Sequence, residues 1–181
     1  RLDIIANVER DPACDKHLMP LLYFKGFQAM QLYRISHWYW CNGRVALALF
    51  LQNQVAEIFA VDIHPGARMG SGIMIDHATG LVVGETAVIG DNVSILHSVT
   101  LGGSGRGNGD RHPQVGSGVM IAAGAKIIGN VKIGNGVKVG AGSLVIESVP
   151  PHVTVVGVPA RIVGARLKGP PSFDMNQHLD V

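Results

Sequence analysis

The segment Asp76-His77-Ala78-Thr79-Gly80 offers this chain's best candidate for proton-transfer chemistry. An unperturbed imidazole titrates near pH 6.5, so at pH 7 it is mostly neutral and able to take a proton from a hydroxyl. A second functional pair, Arg111-His112, stands at the end of a glycine-rich stretch, Gly102-Gly103-Ser104-Gly105-Arg106-Gly107-Asn108-Gly109-Asp110. Guanidinium grips a carboxylate through two parallel hydrogen bonds, so Arg111 suits an anionic substrate group. No serine or cysteine sits in a nucleophile motif, which favours direct transfer over a covalent enzyme intermediate. Cys14 and Cys41 have neither metal nor redox spacing. By residue type alone, His77 also fits a buried structural histidine and Arg111 a solvated loop residue.

The elements that must position these residues follow an unusual period. Val115, Ile121, Ile127, Ile133, Val139 and Val145 recur every sixth position. Ile63, Met69, Ile75 and Leu81 do the same earlier, and after a two-residue slip so do Val83, Ile89, Ile95 and Leu101. Six matches neither the 3.6 of a helix face nor the 2 of a pleated strand, and it implies a solenoid whose turns bury their side chains on one another. Glycines beside the repeat, as in Ile133-Gly134-Asn135-Gly136, suit its tight corners. The expected fold is mainly β, a parallel β-helix preceded by short helices.

Residues 1–60 lack the period and read as a helical segment, with helices over 21–40 and 44–60 separated by Asn42-Gly43. The β-helix is expected over 61–168, with residues 102–114 expelled as a loop because the apolar register resumes at Val115. Pro150-Pro151 ends the repeat, residues 155–163 add a last strand, and 169–181 read as a mobile tail. The formal net charge of +2 is too small to argue for nucleic acid but suits an anionic cofactor. The longest apolar stretch, 45–60, is broken by Gln52-Asn53-Gln54 and is too short for a membrane span. A chain without signal peptide or disulfide framework is expected in the cytoplasm, and its start at Arg1 reads as a fragment.

Asp76-His77-Ala78-Thr79-Gly80 with Val83-Gly84-Glu85-Thr86, Ser98-Val99-Thr100-Leu101-Gly102-Gly103, Gly109-Asp110-Arg111-His112-Pro113 and Gly157-Val158-Pro159-Ala160-Arg161 together resemble the signature of serine O-acetyltransferases. The resemblance runs from Glu9-Arg10-Asp11-Pro12-Ala13 to Asp174-Met175-Asn176-Gln177-His178. The repeat and the Gly-Val-Pro-Ala-Arg segment are shared by many hexapeptide acyltransferases, whereas Asp-His-Ala-Thr-Gly and Asp-Arg-His-Pro are more specific. The resemblance implies a left-handed parallel β-helix. It also implies acetyl transfer from acetyl-coenzyme A to the L-serine hydroxyl, giving O-acetyl-L-serine for cysteine synthesis.

On this resemblance His77 is the general base and Asp62 the acid paired with it; 18-residue coils would put the two on neighbouring coils. Capping or plain solvation of Asp62 is the alternative. Asp11, Pro12, Asp76, Arg111 and His112 would line the serine pocket, with Asp11 and Asp76 on the ammonium and Arg111 on the carboxylate. Glu85 would orient His112. Gly103, Ala123 and Ala141 match positions in the groove for the pantetheine arm, and Lys138 and Arg161 are candidates for its phosphates. Backbone N–H groups are expected as oxyanion donors, and no metal is required.

The resemblance further implies a homotrimer, or two trimers paired through an N-terminal helical region, with sites between subunits. It implies feedback inhibition by L-cysteine, and O-acetylserine sulfhydrylase as a partner through a C-terminal isoleucine. This chain stops at Asp180-Val181, so that partnership is either truncated or altered. The nearest rival is a hexapeptide acetyltransferase acting on a sugar or antibiotic hydroxyl, which would not need Arg111, Asp11 and Asp76. A γ-type carbonic anhydrase is a further rival, but His77, His97 and His112 do not reproduce its zinc pattern.

Overall fold

A computed structural model describes residues 1–105 and 109–179; Arg106, Gly107 and Asn108 of the expelled loop, and Asp180 and Val181 of the tail, lie outside the described residues. Three parallel sheets form the faces of a solenoid. Face one is β1 (Val61–Ile63), β4 (Leu81–Val83), β7 (Thr100–Gly102), β10 (Lys126–Ile128) and β13 (Leu144–Val145). Face two is β2 (Arg68–Met69), β5 (Val88–Ile89), β8 (Gln114–Val115) and β11 (Lys132–Ile133). Face three is β3 (Met74–Ile75), β6 (Ser94–Ile95), β9 (Met120–Ile121), β12 (Lys138–Val139) and β14 (Thr154–Gly157). Its edge carries β15 (Ala160–Val163), antiparallel to β14. The region expected to add one strand is thus a hairpin, because Val158-Pro159 turns the chain back.

The six-residue period becomes the column of each face. Ile63, Val83, Leu101, Ile127 and Val145 stack on face one, and Ile75, Ile95, Ile121, Val139 and Val155 on face three. All ten are nearly solvent-free, and burying each such side chain contributes roughly 1.5–3 kcal/mol. Coil lengths differ where the chain does something other than stack. Strand pairing advances by 18 residues from β4 to β7, by 26 from β7 to β10 across the expelled loop, and by 20 from β1 to β4. The two extra residues of the first coil sit in its last corner, residues 76–80. Leu81 therefore aligns with Val61 rather than continuing the series Ile63, Met69, Ile75.

Four helices cap the first coil: α1 (Leu2–Arg10), α2 (Leu18–Tyr23), α3 (Lys25–Cys41) and α4 (Val45–Phe59). The helix expected over 21–40 is broken at Phe24, which is extended and hands the chain from α2 to α3. The first helix, α1, was not legible as one; it is held by Asp3, which accepts from Arg34 and from the backbone of Ile73. Helix α3 packs on β3 through Gly26, where an added Cβ would lie 2.1 Å from the Ile75 carbonyl oxygen and 3.2 Å from Ala78 Cβ. Backbone would face backbone, so neither side yields cheaply. Gly26→Ala is expected to destabilise by about 1–3 kcal/mol and to lower the melting temperature by about 2–4 °C per kcal/mol. An unchanged melting curve would show that α3 shifts freely.

The tail expected to be mobile is docked over its described residues. A short helix α5 (Pro171–Asp174) buries Pro171 and Ser172, whose carbonyl accepts from Ser94 Oγ at 2.9 Å. The Arg10 guanidinium lies 4.7 Å from the centre of the Phe173 ring. Among the described residues, no helix is long and apolar enough to cross a membrane.

Candidate active site

The corner between β3 and β4 carries Asp76 and His77. In the later coils this corner makes its turn with one left-handed residue, Ser98, Gly124 or Gly142. The first coil has Gly80 in that role and adds His77 (φ 56°) and Ala78 (φ 60°). Short bonds from Ala78 N to Asp76 O (2.6 Å), Thr79 N to His77 O (2.7 Å) and Gly80 N to Ala60 O (2.7 Å) close it. The inserted pair lifts His77 off the stack: its side chain is 73% exposed, with Nε2 3.5 Å from Asp76 Oδ2. A buried structural histidine is thereby excluded.

Beside it opens a cavity of about 510 Å³ between the corner and the helical cap, lined by Asp11, Lys25, Asp76, His77 and Thr79 among others. Asp11 ends α1 and turns back, its Oδ1 accepting from Ala13 N at 2.9 Å. Pro12 is exposed outside that lining. Burial pushes the Asp76 carboxyl up from its ordinary range; His77 draws it back and the Asp11 charge pushes it further up. Two carboxylates that repel each other beside a half-open cavity are a site for a cation. Lys25, which donates to Thr79 Oγ1, was not singled out in the sequence, and nothing in its neighbourhood there signals it.

Asp62 and His77 share the first coil rather than lying on neighbouring coils, because Asp62 is on β1 and His77 follows β3 before the next coil begins at β4. Asp62 points outward from β1 and accepts from Gln52 Nε2 at 2.6 Å, while the carboxylate on His77 is Asp76.

Arg111 and His112 lie between β7 and β8, at the corner that joins face one to face two, beside Glu85 and Thr86 of the coil above and near Gly103 and His64. Glu85 binds Arg111 (Oε2 to Nη2, 2.6 Å) rather than His112. The group on His112 is Thr86. Its Oγ1 accepts from the backbone N–H groups of Arg111 (3.0 Å) and His112 (3.2 Å) and lies 2.8 Å from His112 Nδ1. Because Thr86 N also donates to Nδ1, at 3.2 Å, the imidazole proton is on Nε2. The ring fills space that Gly84 leaves open, where a Cβ would come within 2.0 Å of it. Thr86 was within the quoted motif Val83-Gly84-Glu85-Thr86, so its signal was present though its role was not.

Burial first, then the Arg111 charge, pushes His112 below its ordinary value; burial likewise lowers His64. For a group depressed on folding, the unfolded chain binds more protons between the two values. Its stabilising contribution is present above about pH 6.5 and lost as pH falls through the folded value. Denaturant midpoints at fixed protein concentration are expected to fall on acidification from pH 7, and His112→Gln to flatten that slope. Equal slopes for both proteins would refute the assignment.

The remaining predicted residues divide between the two corners. Ala123 and Ala141 fall two residues after Ile121 and Val139, as His97 does after Ile95, so these three form one column; the His77 ring, displaced by the insertion, lies beside its top, 5.8 Å from the His97 ring. Gly103 belongs to the other corner, where a Cβ would stand 3.1 Å from His112 Nε2. Lys138 is buried and donates to the His178 carbonyl of its own tail, so it is not free to meet a phosphate. Arg161 is exposed on β15, its Nη1 on the Ala160 carbonyl. Among the described residues no three His, Cys, Asp or Glu side chains group as metal ligands.

Residues 1–32 match the family described as serine acetyltransferase, N-terminal, and residues 112–147 match the bacterial transferase hexapeptide family. The chain is 64% identical to a serine acetyltransferase of Salmonella typhimurium, covering 98% of this chain and 65% of that protein. It therefore spans just under two thirds of that relative's length. Among solved structures, it superimposes with a TM-score of 0.96 on a serine acetyltransferase in complex with cysteine, at 57% identity, covering 98% of this chain and 69% of that one. The Neisseria gonorrhoeae enzyme in complex with serine gives 0.88 and 61%, covering 90% and 66%. The Brucella abortus enzyme in complex with coenzyme A gives 0.91 and 56%, covering 93% and 67%.

Proposed function

The chain belongs to the serine acetyltransferase family, and from that premise we propose that it transfers the acetyl group of acetyl-coenzyme A to the hydroxyl of L-serine. The observation that carries the reading is the cavity in which Asp11 and Asp76 stand beside an exposed His77. Two carboxylates receive the ammonium group and the imidazole takes the hydroxyl proton, as an amino acid with a side-chain hydroxyl requires. The hydroxyl oxygen then attacks the thioester carbon. On collapse the carbonyl re-forms, the C–S bond breaks, and the thiolate receives the proton from His77. Both substrates are bound together and no acyl-enzyme forms.

The α-carboxylate falls to Arg111, which stands at a different corner. The face-one strands between these corners, β4 and β7, are three residues long, about 10 Å, so His77 and Arg111 of one chain cannot hold one serine molecule. A neighbouring copy brings its Arg111, His112 and Gly103 against His77 and the column of His97, Ala123 and Ala141, in a homotrimer or a pair of trimers. The small Ala123 and Ala141 side chains leave room for the pantetheine arm between copies, and Arg161 is available to its phosphates. The serine, cysteine and coenzyme A complexes of relatives support these ligands. L-Cysteine places a thiol where the hydroxyl goes and inhibits by occupying the same groups. O-acetylserine sulfhydrylase is the partner for the tail, and a reducing cytoplasm suits the free thiols of Cys14 and Cys41.

The test is release of free coenzyme A from acetyl-coenzyme A with L-serine, against sugars and against amino alcohols lacking the carboxylate. Turnover confined to L-serine and suppressed by L-cysteine is expected. Turnover on a sugar, or indifference to the carboxylate, would retain the acyl donor and remove serine and Arg111 from the assignment.

A further inference from the structure

His77 (φ 56°) and Ala78 (φ 60°) hold left-handed backbone that residues with side chains rarely adopt. Such strain persists only where the surroundings hold it. Short backbone bonds close the turn from within. From outside the coil, the first turn of α3 takes hold of it at two points. Gly26 lies against Ile75 and Ala78, and Lys25 donates from Nζ to Thr79 Oγ1. An ammonium group has donors and no acceptor, so the Thr79 oxygen accepts and its own proton is left to donate. Thr79 in turn holds the His77 carbonyl: its N–H donates at 2.7 Å, and its hydroxyl faces the same oxygen in a longer contact of 3.4 Å. A directed chain therefore runs from the helical cap through Lys25 and Thr79 to the peptide group beside the proposed base. Lys25 lines the same cavity as Asp11 and Asp76, yet among the described residues no carboxylate pairs with it. Its contact is with a neutral hydroxyl, which charge on the donor strengthens.

We propose that Lys25 is a positioning residue of this active site, holding the His77 turn through Thr79 so that the imidazole meets the substrate hydroxyl in one orientation. The inference rests on the acetyl-transfer reading above. Lys25 moves no proton in it: the hydroxyl proton still passes to His77 and from there to the departing thiolate. What the ammonium supplies is the direction of the ring before transfer begins. The His77 side chain is 73% exposed and has little packing of its own, so its direction depends on the backbone beneath it. A misplacement of about 1 Å can cost about 100-fold in rate. The base acts on the hydroxyl only as its oxygen attacks, so the loss should fall on kcat rather than on substrate binding.

Steady-state kinetics of a double-mutant cycle test this. Lys25→Met and Thr79→Val should each lower kcat by about 10- to 100-fold, with the KM values for L-serine and acetyl-coenzyme A kept within about threefold. The double variant should be no slower than the slower single one, because either change already breaks the chain. Lys25→Arg and Thr79→Ser keep the donor and the hydroxyl, and should recover to within about fivefold of wild type. Thr79→Val beside Thr79→Ser carries the test if Lys25→Met fails to fold. Losses that multiply in the double variant would overturn the inference, and so would a Lys25→Met kcat within about threefold of wild type. A raised KM for L-serine with kcat intact would also overturn it, placing the ammonium on the substrate instead. Wild-type protein that releases no coenzyme A with L-serine would instead overturn the functional reading, so that measurement is read first.

Discussion

His77→Ala should lower kcat by about 10² to 10⁴-fold while changing the equilibrium affinity for coenzyme A by less than about threefold. The expectation follows from where the side chain stands. His77 projects from an inserted two-residue turn, is largely exposed, and packs on no part of the apolar column. Removing it costs the core little, so any loss should be chemical rather than structural. Alanine at φ 56° also keeps a backbone conformation that its neighbour Ala78 already adopts. The groove proposed for the coenzyme lies lower, at Ala123 and Ala141, and should keep its affinity. Calorimetric titration with coenzyme A, beside steady-state kinetics, makes the separation. Parallel losses in kcat and in coenzyme affinity would mean that His77 helps to bind the donor, and the base would have to be sought elsewhere.

A mixture of two inactive proteins, His77→Ala and His112→Ala, should regain activity when dissociated and reassembled together. If each site takes His77 from one copy and His112 from its neighbour, random 1:1 reassembly places both native groups in about a quarter of sites. Recovery should therefore approach about 25% of wild-type turnover. A site completed within one chain would give no recovery, because every site would still lack one group. Recovery is expected because the two histidines flank face one at opposite ends and their local partners are separate. Asp76 and Asp11 surround one, and Thr86, Arg111 and Glu85 the other. Failure to recover activity, with mixed assembly verified by a tag on one variant, would remove the composite site.

The solenoid was legible because period six has one structural meaning: Ile63, Val83, Leu101, Ile127 and Val145 can all be buried only if each coil stacks on the last. The two-residue slip was also visible in the sequence, but its location was not. Periodicity counts residues between apolar positions without saying which corner takes the extra pair. Only strand pairing shows that residues 76–80 absorb it and lift His77 outward. The break at Phe24 and the docked tail escaped for a different reason. Each depends on a long-range contact, of Gly26 with Ile75 and of Ser172 with Ser94, that no local pattern encodes.

By itself the sequence determined the repeat, the corners and the residue types available for chemistry, since these depend on spacing along the chain. Which groups meet was decided by the tertiary structure alone. Asp62 turns to Gln52, Asp76 stands on His77, Glu85 takes Arg111, and Thr86 holds His112. Neighbours in a motif such as Gly84-Glu85-Thr86 point in different directions from a corner, so one residue's difference in position selects a different partner. Hydrogen bonds and ion pairs act over about 3 Å, a scale finer than residue spacing and set only when the coils stack.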